Sequence, residues 1–476
     1  MKDKCAVFGI YAPGLNTANL TYFSLFALQH RGQESSGIAV SNGEKIFVYK
    51  DMGLVSQVFN EEILRNLNGF IGIGHNRYST TGHSSLQNAQ PLLVESDIGP
   101  LALAHNGNLI NYPFLRESLK ENGETLQTTC DSEIIAKIFA SLSGKPLQER
   151  LKHTISKLAG AFSVVMSTKD SLIGFRDPQG IRPLCLGQLS KNGDTGWVIS
   201  SESCALQTIG ADFIREIQPG EGVIINKTGI KTIPSAAPAK KSFCIFEKIY
   251  FMRPDSISDN ELIYETRFRM GQELARESFV LADGVMPIPD SSVPSAIGYA
   301  YESKLPFFEG LIKNRYIART FIQPEERLRK MGVRLKFNPL KEQLNGKKVI
   351  VVDDSIVRGH TTKAIVALLK ESGAEEVHLR ITSPPIRHPC NLGIDMATYE
   401  ELIANNKTVE QICSYLGADS LHYLTLEGLF KSALKKRSEN SDPNGFCAAC
   451  LTGKYPIFLN ADKASDLIPE QKLTKC

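Results

Sequence analysis

Two rhythms of apolar and polar residues run along the chain, and they change near residue 240. The first half opens with a short apolar strand at residues 6–10. Leu20, Phe23, Ala27 and Leu28 then recur at helical spacing, which predicts an amphipathic helix starting after Asn16 or Thr17. Short apolar runs punctuated by glycine follow at 69–74, 101–104, 161–166, 171–175, 197–200 and 222–225. They predict a strand-rich domain with few helices. In the second half, 348–352 reads as a buried strand with β-branched residues at four consecutive positions. A helix is predicted over 361–372, with Ala364, Ile365, Leu368 and Leu369 inward and Gly373 as its stop. Val377, Leu379 and Ile381 alternate as the next strand. Strand, helix, strand in this order predicts a βαβ unit and a parallel sheet. Between the halves, residues 231–241 are rich in Pro, Ala and Lys without an apolar period, the pattern of a linker.

Composition narrows the class. A chain of 476 residues has room for two or three domains. The balance of 54 basic and 51 acidic residues leaves a net charge of +3, which argues against a general nucleic-acid binder. No apolar run reaches the roughly 18 residues that span a bilayer. The opening Met-Lys-Asp-Lys-Cys has no apolar signal core, so a cytoplasmic protein without membrane attachment is expected. In that compartment ten cysteines do not read as a disulfide scaffold. Only Cys447 and Cys450 have close ligand spacing.

Cys5 would become the first residue if four residues were removed. An N-terminal cysteine carries a nucleophile and a base together, because its α-amine has a reference pKa of about 7.7–8.0 and can accept the thiol proton. Taken alone, Cys5 reads first as a buried strand cysteine. Three polar stretches lie near it in pattern: 27–38 (Ala-Leu-Gln-His-Arg-Gly-Gln-Glu-Ser-Ser-Gly-Ile), 74–82 (Gly-His-Asn-Arg-Tyr-Ser-Thr-Thr-Gly) and 104–109 (Ala-His-Asn-Gly-Asn-Leu). Together they resemble the N-terminal-nucleophile glutamine amidotransferase domain, an αββα sandwich. The resemblance implies that Cys5 attacks the side-chain amide of glutamine and that Asn106 and Gly107 form the oxyanion hole. It implies that Arg77 clamps the substrate α-carboxylate and Asp131 its α-ammonium. Without it, Arg77 reads equally as a surface ion pair and Asp131 equally as a helix N-cap. Ala6 and Cys130 stand where the family more often has Gly and Ser.

The most specific pattern is 349–362, Val-Ile-Val-Val-Asp-Asp-Ser-Ile-Val-Arg-Gly-His-Thr-Thr. Two carboxylates leave the C-terminal end of a buried parallel strand, the edge where open α/β sheets bind ligands. The loop then enters a helix whose free N–H groups suit a phosphate. Adjacent aspartates can accept bonds from ribose hydroxyls or help hold Mg²⁺. This resembles the type I phosphoribosyltransferase motif for 5-phosphoribosyl-1-pyrophosphate. The resemblance implies a site made by Asp353, Asp354, Ser355, Arg358, Gly359, His360, Thr361 and Thr362. Ser291, with Asp353 and Asp354, would hold one Mg²⁺ per subunit. His360 departs from the family's usual Thr or Asn. Residues 313–321, with basic residues as far as Lys336, resemble the loop that closes over the substrate.

Cys244, Cys390, Cys447 and Cys450 form the third set. On spacing alone, zinc, an iron–sulfur cluster and unbound thiols stay open. The surrounding residues resemble the iron–sulfur branch of the amidophosphoribosyltransferases. That resemblance implies one [4Fe–4S] cluster per subunit on these four residues and a propeptide at 1–4. It also implies an amidotransferase domain at 5–230, a linker at 231–243, a phosphoribosyltransferase domain at 244–460 and a tail at 461–476. The expected activity takes glutamine and phosphoribosylpyrophosphate to 5-phosphoribosylamine, pyrophosphate and glutamate, the first committed step of purine synthesis. A homotetramer inhibited by purine nucleotides is expected with it. Glucosamine-6-phosphate synthase and asparagine synthetase share the first half's chemistry, but the Asp353-Asp354 loop tells against both. The intact Cys5 set tells against a non-catalytic ligand sensor.

Overall fold

A computed structural model describes residues 5–78, 83–191, 193–235, 239–314, 334–394, 396, 398–434 and 445–457. Residues 1–4, expected as a propeptide, most of the segment expected to close over the substrate (315–333), and the expected tail 461–476 with Cys476 lie outside the described residues.

Thirteen strands build the first half. They are β1 (Ala6–Tyr11), β2 (Ser35–Ser41), β3 (Ile46–Met52), β4 (Ile71–Arg77), β5 (Leu92–Val94), β6 (Leu101–Leu109) and β7 (Gly160–Ser167). β8 (Leu172–Arg176), β9 (Cys185–Lys191), β10 (Asp194–Ser200), β11 (Asp212–Glu216), β12 (Gly222–Asn226) and β13 (Gly229–Ile233) complete them. They form two antiparallel sheets, ordered β11-β9-β10-β1-β4-β2-β3 and β13-β12-β8-β7-β6-β5. Alternation along each strand sets the layers. Val7 and Tyr11 join Ala102, Ala104, Val165 and Val223 in the core between the sheets. Ala6, Phe8 and Ile10 face the other way, into a core shared with the helix Thr17–Ala27. Leu101, Leu103 and Leu109 face a second helical layer. The architecture is therefore α/β/β/α. Gly9 permits the close approach of the sheets, since a Cβ there would lie 2.5 Å from Val165 Cγ1.

Two expectations fail here. The helix Thr17–Ala27 buries Thr17, Ala18, Thr21, Ser24, Leu25 and Ala27, while Phe23 is 52% exposed. Gly72 and Gly74 of β4 draw this helix in so far that a Cβ on Gly72 would lie 2.6 Å from Thr21 Oγ1. Only small or slender side chains fit that gap, so apolar periodicity misjudges the face. The first half is also richer in helices than its apolar runs suggest. Tyr112–Glu121, Ser132–Ala140 and Leu147–Lys157 pack Leu115, Ile134, Phe139, Leu151 and Ile155 onto the second sheet. The linker pattern begins within β13, which carries Lys231, Thr232 and Ile233.

In the second half, β14 (Gly284–Pro287), β15 (Lys348–Asp353), β16 (Glu376–Ile381) and β17 (Ser420–Tyr423) form one parallel sheet in that order. Val349 pairs with Val377 and Asp353 with Ile381. The crossover helix runs from His360 to Glu371, and Gly373 at φ +97° ends it as the pattern predicts. Val349 and Val351 pack into one core, Ile350 and Val352 into the other. Burial on both faces explains the unbroken β-branched run.

Candidate functional sites

Cys5 leads into β1 at the edge of a small, partly open cleft. Arg77, Tyr78, Gly107, Cys130 and Asp131 line the same cleft. The Cys5 Sγ lies 3.2 Å from the Tyr78 carbonyl, to which it donates, and 3.4 Å from the Tyr78 N–H. Burial pushes the thiol up to about 11, against the opposing pull of the Tyr78 backbone and the Arg77 charge. With residues 1–4 attached, the Cys5 nitrogen is an amide and cannot take the proton. Alkylation of Cys5 in the unprocessed chain should therefore be slow at pH 7 and climb as pH rises toward 11. A plateau near pH 8, read by mass spectrometry, would show that burial does not govern the thiol.

Arg77, at the end of β4, is 2% exposed and lies 2.6 Å from Glu34, so it is no surface pair. Asp131 precedes the helix Ser132–Ala140 but its side chain does not cap that helix. Its Oδ2 instead accepts from the Leu109 N–H at 2.9 Å. That bond ties Asp131 to the end of β6, the strand carrying Asn106 and Gly107. The Asn106 Nδ2 is buried and makes no hydrogen bond among the described residues. A buried donor without an acceptor is costly, and a charge developing on a bound amide oxygen would satisfy it.

Spacing alone does not reveal several neighbours of this site. His105 and Ser132 lie against one another at 3.1 Å beside Asp131. Arg31 is fully enclosed and donates from Nε to the Cys5 carbonyl at 3.1 Å. It also bonds Glu202 at 2.5 Å and Glu247 at 3.0 and 3.1 Å. Arg31 and Glu34 fall inside the polar stretch 27–38, but their partners are far away in sequence.

The second site lies at the carboxyl end of the parallel sheet. Ser291 Oγ donates to Asp354 at 2.6 Å and Ser292 Oγ to Asp353 at 3.1 Å. Ser355 Oγ donates to Asp354 at 2.7 Å. Burial pushes both carboxyls above the usual range, and Asp354 raises Asp353 further. Two carboxyls held together beside serine oxygens suit a hard divalent cation. Gly359, at φ +75°, turns the chain into the helix, and Thr362 is buried in its first turn. Arg358 bonds Glu401 at 2.5 Å, and the exposed His360 faces the Tyr415 hydroxyl at 3.3 Å. Thr361 is exposed at the same turn.

Cys244 and Cys447 are partners in a short parallel pairing of Phe243–Cys244 with Phe446–Cys447. Cys450 lies in the turn of helix that follows, and its carbonyl accepts from the Arg387 and His388 N–H groups, just before Cys390. None of these four cysteines is in a disulfide. Burial pushes Cys390, Cys447 and Cys450 up, and the mutual repulsion of the four sulfurs adds to it. Among the described residues no three His, Cys, Asp or Glu close tightly enough to hold a single metal ion. A four-iron cluster places its ligands farther apart than one ion does, and these thiols, Cys244 and Cys450 buried and Cys390 and Cys447 partly buried, suit that demand.

Residues 75–208 match the family model of the glutamine amidotransferase domain, and 268–383 that of the phosphoribosyl transferase domain. The amidophosphoribosyltransferase of Synechococcus elongatus is 48% identical over 472 residues, covering 98% of this chain and 94% of the relative. That of Bacillus subtilis is 44% identical, covering 100% and 98%. A solved glutamine phosphoribosylpyrophosphate amidotransferase from B. subtilis, complexed with ADP and GMP, is 44% identical with a TM-score of 0.89. It covers 96% of this chain and 98% of its own. Two domains in this order, matched across nearly the whole length, place the chain in the amidophosphoribosyltransferase family.

Proposed function

We propose that the two sites divide the family's reaction as follows. The Cys5 thiolate adds to the side-chain amide carbon of glutamine. Asn106 Nδ2 and the Gly107 N–H stabilise the resulting oxyanion. Arg77 and Asp131 hold the α-carboxylate and α-ammonium. The α-amine freed by removal of residues 1–4 takes the thiol proton and passes it to the departing nitrogen, ammonia leaves, and water cleaves the glutamyl thioester to release glutamate. At the second site Asp353 and Asp354 hold the ribose hydroxyls, and the 355–362 loop holds the 5-phosphate. Ammonia then forms a bond to ribose C1 as the bond to pyrophosphate breaks. Mg²⁺ held by Ser291, Asp353 and Asp354 would neutralise the departing pyrophosphate. The single observation that carries the reading is that Cys5, Arg77, Gly107 and Asp131 line one cleft. The test is pyrophosphate release from glutamine, phosphoribosylpyrophosphate and Mg²⁺ by anaerobically purified protein. No release would refute it.

We further propose that residues 1–4 are removed, that the active unit is a cytoplasmic homotetramer and that purine nucleotides inhibit it. The B. subtilis relative complexed with ADP and GMP supports the last point. Among the described residues no helix is long and apolar enough to cross a membrane. Cys244, Cys390, Cys447 and Cys450 would hold a [4Fe–4S] cluster. Cys447→Ser should accordingly lose the brown absorbance, iron and acid-labile sulfide. Unchanged iron content would remove Cys447 from the ligand set.

A further inference from the structure

We propose that residues 391–393 of the second domain position the oxyanion strand of the first. The inference rests on Gly107 acting as an oxyanion donor for Cys5. Three contacts carry it. The Asn108 side chain donates from Nδ2 to the Asn391 carbonyl at 2.8 Å. Arg182, 1% exposed, donates from Nη2 to the Leu392 carbonyl. Its Nη1 lies 3.8 Å from the Glu247 carboxylate in a buried ion pair, and among the described residues the Leu392 carbonyl is the guanidinium's hydrogen-bond acceptor. Gly393 closes the contact. It has φ +91°, and a Cβ there would lie 2.6 Å from Arg182 Nη2, 3.1 Å from Asn108 Cβ and 3.2 Å from the Gly107 carbonyl carbon.

Gly107 is thus enclosed on two sides. Toward β7, a Cβ on Gly107 would lie 1.9 Å from the Ala161 carbonyl oxygen. Beside its carbonyl carbon stands Gly393, from a loop more than 280 residues away in sequence. The loop bears on the Gly107–Asn108 peptide, which restrains the backbone of Gly107 and with it the aim of the preceding N–H, and an oxyanion donor works only when its N–H is aimed beforehand. Release of the 391–393 loop would remove the second domain's hold on Gly107. The first domain's catalytic geometry is then completed by the second domain. The same loop follows directly on Cys390, so disturbance at the four cysteines reaches Gly107 by one short covalent path.

The test uses the full-length holoenzyme with Asn108→Ala and, separately, Gly393→Ala. For glutamine-dependent synthesis, kcat should fall about ten- to hundredfold, because a displaced donor is lost chiefly in the transition state. The KM for glutamine should stay within about twofold, since binding by Arg77 and Asp131 is untouched. Ammonia-dependent synthesis and the rate of Cys5 alkylation should match the unsubstituted enzyme. Wild-type kcat in both variants would overturn the proposal. So would a raised KM at unchanged kcat, or a parallel fall in ammonia-dependent synthesis. A Cys5→Ser control separates the layers: if it still uses glutamine, the Cys5 reading fails, and with it the premise for Gly107.

Discussion

Cys5→Ser is expected to abolish glutamine-dependent synthesis of 5-phosphoribosylamine while ammonia-dependent synthesis persists. The loss should be about 10⁴-fold or more, the scale on which a catalytic nucleophile is missed. Serine keeps the size and the contacts with Tyr78 but offers a hydroxyl, a far weaker nucleophile than a thiolate. Arg31 should be undisturbed, because it bonds the backbone carbonyl of residue 5 and not the side chain. The phosphoribosyl site lies in another domain, so external ammonia should still displace pyrophosphate. Paired assays with glutamine and with ammonium chloride check this. Loss of both activities would contradict two separable sites. Retention of both would show that glutamine is hydrolysed elsewhere.

Legibility differed between the two halves for physical reasons. The second site is nearly collinear in sequence. One strand, one loop and one helix start carry Asp353 to Thr362, and local rules of burial and turning act over that short span. Gly359 is needed there because its φ is +75° and an added Cβ would lie 2.9 Å from Ile403. The first site is assembled from β1, β4, β6 and a helix start. No periodicity brings those together, and only the resemblance of the three polar stretches did so. The least legible features join the two halves. Arg31 reaches Glu247 across 216 residues, besides Glu202 in its own half across 171, and Asn108 reaches Asn391 across 283. Such pairs leave no local pattern, since each partner alone reads as an ordinary polar residue. The misjudged face of the helix Thr17–Ala27 has a related cause. The neighbour's glycines, not the helix's own apolar residues, decide which side turns inward.

Asp353→Ala should depress synthesis with either nitrogen source, by about 10²–10³-fold, because it removes a charge from the site where ribose and pyrophosphate separate. Ammonia cannot rescue it, which distinguishes it from Cys5→Ser. The expected effect on stability has the opposite sign. The Asp353 carboxyl lies above the usual range because of burial first and the Asp354 charge second. A carboxyl raised by folding binds protons more tightly in the native chain than in the unfolded one. Its contribution therefore falls as pH rises from the ordinary carboxylate range through the raised native value. In its ionised form Asp353 is a strain on the fold, offset in part by Ser292 and the Asp354 N–H. The substituted protein should melt no lower than the parent in the absence of ligand. The parent alone should gain thermal stability from phosphoribosylpyrophosphate with Mg²⁺. Asp353→Asn keeps the shape and loses the charge, and it should behave as Asp353→Ala in both assays. Normal turnover in either variant would remove Asp353 from the site. A lowered melting point without ligand would show that the carboxylate holds the strand end together instead of waiting for a substrate.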